Sequence, residues 1–322
     1  MPIHDQVASR FHLLDGISSL QEAMDDPEKD RRVREFMEPP AEHGPPAVVP
    51  TRDLAVHGPH GPVPVRVYGD DSGTGRPALL WIHGGGFMFG DLEMPEADWT
   101  AREVCARSGA VVVSVDYRLA VGGVCFPVPL DDCVAAARWL RDNAEELGVD
   151  PTRISVGGGS AGGNLSVATV LRLRDEDGWL PAALIPVYPV LHDALPEASP
   201  EVAALLDEVP PALRFTPEGT AGMNANYLGG QPADGYSFPA LAELGGLGPT
   251  LLVTAEYDDL RTTGESFVDL LRAADVDVRH VQADGMLHGF LNLSATLDPV
   301  DAVLDQLSQT VSSSTIHAPL EN

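Results

Sequence analysis

Apolar positions along this chain follow two regimes. Up to about residue 45 they are sparse and spaced like one face of a helix: Val7, Phe11, Leu14 and Ile17, then Leu20 and Met24. That spacing predicts one or two peripheral helices, closed by a Pro/Gly cluster at 39–46. A strand at 48–57, the turn Gly58-Pro59-His60-Gly61 and the alternating segment 63–68 predict a hairpin. From Ala78 the pattern becomes continuous. Ala78-Leu79-Leu80-Trp81-Ile82 and Ala110-Val111-Val112-Val113-Ser114-Val115 have no sustained polar face, as strands covered on both sides of a mostly parallel sheet require. Further strands are predicted at 154–157, at 182–188 despite Pro186, at 250–254 and at 276–281. The last of these alternates and carries charge, as an edge strand does. Helices are predicted at 96–107, 131–147, 161–173 and 299–311. The residues after Ser312 are expected to be loose.

Strands alternating with helices predict an α/β fold with a doubly wound sheet. Residues 193–244 break the alternation. They are rich in Pro, Gly and Ala, with short helical pieces at 200–208 and 219–227. This stretch is expected to be an insertion lying over the C-terminal edge of the sheet.

Composition narrows the function classes. The 322 residues carry a formal net charge of −28, and Lys29 is the only lysine among 20 basic residues. Nucleic acid and anionic membrane surfaces are therefore excluded as partners, since both require a basic face. Anionic substrates would be repelled unless an arginine sits in the pocket. No apolar run approaches the roughly 18 residues of a membrane span. The start of the chain shows no basic region followed by an apolar stretch, so no secretory signal is expected. Cys105, Cys125 and Cys133 are odd in number and lack metal-ligand spacing. They predict reduced thiols and a cytoplasmic protein.

Four segments carry candidate chemistry, each just after a predicted strand, where open α/β sheets place their sites. The first is Gly158-Gly159-Ser160-Ala161-Gly162. A serine hydroxyl is a poor nucleophile unless it is exposed beside a base and an anion site. A sharp strand-to-helix turn provides that setting, with the N–H groups of the following helix aimed at the reaction centre. The second is His83-Gly84-Gly85-Gly86-Phe87, whose bare glycine amides suit a developing oxyanion. The third is Glu256-Tyr257-Asp258-Asp259-Leu260-Arg261, a source of a carboxylate to orient a histidine. The fourth is His288 in Leu287-His288-Gly289-Phe290. Serine, then aspartate, then histidine is the chain order that accompanies this elbow. Which of Asp258 and Asp259 faces the histidine stays open at this level.

Together with Asp116-Tyr117-Arg118-Leu119-Ala120, and with Phe126-Pro127 ahead of Asp131-Asp132, these motifs resemble the hormone-sensitive-lipase-like, or family IV, esterases of the α/β-hydrolase superfamily. The resemblance spans roughly residues 63 to 293. It implies an α/β-hydrolase fold with a mostly parallel central sheet. It also implies Ser160 as nucleophile, His288 as general base and then acid, and Asp258 as the orienting carboxylate. Oxyanion donors are implied at Gly85, Gly86 and Ala161. A cap is implied from the helices of residues 1–46 and the 193–244 insertion, both over a catalytic domain spanning 47–322. Two positions depart from the family pattern. Gly159 stands where an Asp is usual, and Val121-Gly122 follow Leu119-Ala120 where Pro-Glu is usual.

The expected activity is hydrolysis of short- to mid-chain uncharged esters through an acyl-enzyme. An amidase, lactonase or natural-product deacetylase would use the same machinery, and a ligand-binding pseudo-hydrolase would keep only the pocket. Phe87, Met88, Phe89 and Phe290 flank the site, and one or two of them are expected to line the acyl or alcohol pocket. His83 is expected to anchor its loop. No metal or organic cofactor is required. The expected partner is a small-molecule ester, and dimers through the last strand are usual among similar proteins, so a homodimer is expected.

Overall fold

The continuous apolar runs become the central strands of one eight-stranded sheet. The computed structural model describes residues 1–38, 44–70 and 72–315. β1 (Thr51–Gly58) and β2 (Gly61–Tyr68) form the predicted hairpin, joined by Pro59 and His60. β3 (Arg76–Ile82), β4 (Val111–Val115), β5 (Val149–Gly159), β6 (Ala183–Val187), β7 (Thr250–Tyr257) and β8 (Val278–Leu287) follow. The order across the sheet is β1-β2-β4-β3-β5-β6-β7-β8. Pairings from β4 to β8 are parallel; β2 pairs antiparallel with both β1 and β4 and alone runs against the other strands.

Alternate residues of each strand enter opposite layers, which is why these runs tolerate no polar face. Ala78, Leu80 and Ile82 face a core shared with α5 (Val128–Asp142), α6 (Ala161–Asp177) and α9 (Arg261–Ala273). Leu79 and Trp81 face a second core, shared with α4 (Pro95–Ser108), α10 (Asp298–Ser313) and the N-terminal elements. The latter are α1 (Asp5–Ala8), α2 (Leu20–Met24) and α3 (Pro27–Met37), with the 3-10 turn Phe11–Leu14 between the first two. Val7, Leu14 and Ile17 are buried, as their spacing predicts, and Val33 and Phe36 of α3 join them. Arg107 of α4 also pairs with Asp301 and Asp305, tying α4 to α10.

Pro186 is accommodated because β6 registers with β7 at Leu184 and Val187, so the missing N–H falls in a gap of that ladder. β5, β7 and β8 run longer than expected. α9 is an element that the periodicity reading passes over. The 39–46 connector and the residues after Ser312 lie largely outside the described residues.

Between β6 and β7 the chain forms α7 (Pro200–Leu206) and α8 (Pro217–Leu228), close to the expected helical pieces. This insertion docks on loops of the sheet. Asn226 donates to the Ala120 carbonyl (2.8 Å), Gln231 to the Phe126 carbonyl (2.6 Å), and Phe126 N–H to the Tyr227 carbonyl (2.8 Å).

The register of the parallel strands brings the four chemical segments together. Ile82 pairs with Gly158, and Tyr257 pairs with Leu287. The residues that follow, His83, Ser160, Asp258 and His288, therefore leave the sheet along one edge.

Candidate active site

Ser160 sits between the last residue of β5 and the first of α6, at φ 54° and ψ −118°. A non-glycine residue held there stores about 1–3 kcal/mol of backbone strain. The surroundings fix it. Its N–H donates to the Val187 carbonyl (2.9 Å) and its carbonyl accepts from Asn164 N–H (3.1 Å). The buried Asn164 side chain donates to the Val190 and Ser237 carbonyls, pinning the first turn of α6. The flanking glycines are required by space. A Cβ on Gly162 would lie 2.0 Å from the Ile82 carbonyl oxygen, and one on Gly158 would lie 2.4 Å from the Gly162 carbonyl oxygen. Both obstacles are backbone and cannot rotate away. Gly162→Ala is therefore expected to destabilise the fold by about 3 kcal/mol or more. Gly222→Ala in α8, where a Cβ meets nothing within 4 Å, should be neutral or stabilise by up to about 1 kcal/mol. Urea denaturation midpoints compare the two.

Ser160 Oγ lies 2.9 Å from His288 Nε2, and His288 Nδ1 lies 2.8 Å from Asp258 Oδ2. A carboxylate only accepts, so Nδ1 carries the proton and Nε2 is free to receive the serine hydroxyl's. The Asp258 side chain is fully buried, and its second oxygen accepts Leu260 N–H (2.9 Å). Asp259 points elsewhere. Its carboxylate takes the Arg214 guanidinium on both oxygens (2.9 Å each) and the Phe215 N–H (2.8 Å).

The glycine loop turns back beside this relay. Gly85, Gly86 and Phe87 have φ of 108°, 59° and 64°. The Gly85 carbonyl accepts from Met88 and Phe89, closing a tight turn that leaves no room for a Cβ at Gly85. Ala161 opens α6, so its N–H has no partner within the helix. His83 is buried, stacks on Tyr117 (4.4 Å between ring centres), and contacts the Gly84 carbonyl through Nδ1 (2.7 Å). Burial pushes its imidazole below the usual range, which suits a neutral anchor. Tyr117 OH donates to the His83 carbonyl (3.0 Å). Arg118 is fixed by Asp132, which is wholly buried.

The flanking aromatics separate. Phe87 is fully buried and stacked on Tyr227 at 3.8 Å, so it packs the core rather than lining a pocket. Phe290 is also buried, edge-on to Tyr188. Phe89 is 49% exposed, and Met88, between Phe87 and Phe89, is half-buried.

Four residues at this site carry no motif. Tyr188, at φ 37°, packs edge-on to His288 (5.0 Å), and its OH donates to Glu96 (3.0 Å). Glu96 is buried and also accepts Gly84 N–H (2.7 Å). Phe215 of the insertion lies against the His288 ring (4.4 Å), and the Met223 sulfur lies against Gly86. A cavity of about 180 Å³ lies to one side, lined by Trp99, Leu291, Leu293 and Leu304 among others, and does not include Ser160. Among the described residues no cluster of His, Cys, Asp and Glu is arranged to hold a metal ion, and no helix is long and apolar enough to cross a membrane.

Comparison with known proteins agrees with this architecture. Residues 79–292 match the family model described as alpha/beta hydrolase fold. Esterase LipI of Mycobacterium tuberculosis is 31% identical over 309 residues, covering 92% of this chain and 88% of LipI. Carboxylic ester hydrolase LipN of the same organism is 36% identical over 261 residues, covering 78% of this chain and 66% of LipN. Among solved structures, the esterase of Pyrobaculum calidifontis superposes with a TM-score of 0.81 at 31% identity, covering 97% of this chain and 99% of that one. The chain belongs to the α/β-hydrolase fold family, in its hormone-sensitive-lipase-like branch.

Proposed function

We propose that this protein is a serine carboxylesterase that cleaves short- to mid-chain uncharged esters through an acyl-enzyme. The observation that carries the reading is the relay from Ser160 Oγ through His288 to Asp258, at 2.9 and 2.8 Å, beside a loop of bare glycine amides. His288 takes the Ser160 proton as Oγ attacks the ester carbonyl carbon. Asp258 holds the imidazole in the right tautomer and stabilises the cation that forms. The carbonyl oxygen gains charge and is received by the N–H groups of Gly85, Gly86 and Ala161; each such donor lowers the barrier by about 3–4 kcal/mol in measured cases. The C–O bond to the alcohol then breaks, and His288 returns the proton to the leaving oxygen. Water repeats the sequence on the acyl-enzyme, releasing the acid and restoring Ser160.

The preference for uncharged substrates rests on the walls. Asp258 and Glu96 are buried acids near His288, and Arg214, the cation closest to hand on the insertion, is occupied by Asp259. Phe215 and Met223 present apolar surface over His288 and Gly86. These contacts support a cap role for the 193–244 insertion. The start of the chain, just ahead of the N-terminal helices, is tied to β7 and β8 through Tyr257 OH donating to the Met1 carbonyl (2.7 Å) and His4 N–H to the Gly285 carbonyl (2.9 Å). The unpaired thiols of Cys105, Cys125 and Cys133 support a reducing, cytoplasmic setting.

A fluorophosphonate probe is expected to add its mass to the peptide carrying Ser160, and a panel of p-nitrophenyl esters, anilides and lactones should show turnover greatest on acetate to butyrate esters. Failure to label under conditions that label a known serine esterase would overturn the reading.

A further inference from the structure

Glu96 sits in the first turn of α4 and is only 1% exposed, yet it bonds to three residues that border the site. Its Oε1 accepts Gly84 N–H (2.7 Å), the residue just ahead of the oxyanion donors. Its Oε2 accepts the hydroxyl of Tyr188 (3.0 Å), whose ring packs on His288. Its own N–H donates to Asn292 Oδ1 (3.1 Å), and Asn292 in turn donates to the Gly289 carbonyl (3.0 Å), behind His288. Burial pushes the carboxyl above its usual range, so its placement carries a desolvation cost that these bonds must offset.

The fourth contact concerns the elbow. A Cβ on Gly159 would lie 2.6 Å from Glu96 Cδ, 2.6 Å from Oε1 and 2.7 Å from Oε2. The volume that a side chain at 159 would enter is thus filled by the Glu96 carboxylate, and the two are mutually exclusive. Gly84 closes the arrangement from the other side: its Cβ position is 3.1 Å from Glu96 Oε2, from the Gly159 carbonyl oxygen and from Ser160 Cβ.

We propose that Glu96 is a positioning residue, which supplies from α4 the carboxylate that the elbow lacks at Gly159 and locks the oxyanion loop against Ser160. The proposal rests on the reading of Ser160 as nucleophile. It acts through Gly84 and Tyr188 and touches no substrate. Its effect is on where the Gly85 and Gly86 amides point, and misplacing a reacting geometry by about 1 Å costs up to about 100-fold.

The test compares single and exchanged variants. Glu96→Ala should lower kcat by about 30- to 100-fold with KM nearly unchanged, because the amides matter most in the transition state. Affinity for a trifluoromethyl ketone, whose tetrahedral adduct places its oxyanion on those amides, should fall in parallel. Glu96→Gln should stay within about fivefold of the parent, since its amide oxygen still accepts from Gly84 and its NH2 donates to the Tyr188 oxygen. Gly159→Asp alone should be impaired by collision with Glu96. Glu96→Ala combined with Gly159→Asp returns a carboxylate to Gly84 from the elbow side and should recover at least about tenfold over Glu96→Ala. The proposal is overturned if the combined variant is no better than Glu96→Ala, if Gly159→Asp alone is fully active, or if Glu96→Ala raises KM and spares kcat. Should Glu96→Ala fail to fold, a combined variant that folds and turns over supports the proposal, and one that does not overturns it. Fluorophosphonate labelling of the parent separates the two readings. Without labelling at Ser160 the nucleophile assignment itself falls; with labelling and a failed exchange, only the role of Glu96 falls.

Discussion

Ser160→Ala is expected to reduce ester turnover by about 10⁶-fold, the loss seen when a serine hydrolase forfeits its nucleophile. The physical reason is that every bond-making step passes through Oγ. Without it the oxyanion amides and the pocket still bind an ester but have no attacking atom at 2.9 Å from His288. The fold should survive. Alanine tolerates φ 54° no worse than serine does, and the backbone bonds to Val187 and Asn164 do not use the side chain. The change in stability should stay within about 1 kcal/mol, the net worth of one hydrogen bond. Steady-state rates on p-nitrophenyl butyrate, with a thermal melt as control, measure both. A folded variant retaining more than about one-hundredth of parental turnover would sink the assignment.

The role of Ser160 is legible in the chain alone, whereas that of Glu96 is not. Gly158, Ser160 and Gly162 are neighbours in sequence because the elbow is a local backbone event, although the Ile82 carbonyl that crowds Gly158 and Gly162 comes from β3. The register pairs Ile82 with Gly158 and Tyr257 with Leu287 are long-range, but each strand announces itself by an apolar run, so the segments after the strands were bound to converge. Glu96 has no such signature. It is one acid among 48 Asp and Glu residues, in an ordinary helical first turn, and only the packing of α4 under the sheet edge turns its carboxylate inward. The one trace in sequence was an absence, the missing side chain at Gly159.

The other site residues without a sequence pattern are likewise placed by tertiary packing. Phe215 and Met223 lie in an insertion whose path depends on docking through Asn226, Gln231 and Tyr227 rather than on periodicity. Phe87 stands next to the glycine loop in sequence, yet its positive φ turns it from the site into the core. α9 is held to the sheet by a face with few apolar positions, chiefly Phe267, Val268 and Leu271.

Asp258 and Asp259 are adjacent acids that the structure gives opposite tasks, and exchanging each for asparagine should separate them by orders of magnitude. Asp258→Asn keeps the shape of the side chain but replaces an acceptor with a group that can donate. The amide would favour the wrong imidazole tautomer and would not stabilise the imidazolium, and in an unrelated serine protease this change costs about 10⁴-fold in kcat. The same loss is expected here, because Asp258 is fully buried and no water can stand in for it. Asp259→Asn should lower kcat less than about tenfold, since its oxygens hold Arg214 and the Phe215 N–H and do not meet His288. Its cost should appear instead as about 1–3 kcal/mol of stability, from an arginine left without its carboxylate. It should also loosen the insertion over the site, because Phe215 is the residue laid against His288. kcat and urea midpoints for the two variants, measured side by side, decide the matter. If Asp259→Asn proves the more damaging to kcat, the orienting carboxylate has been assigned to the wrong neighbour.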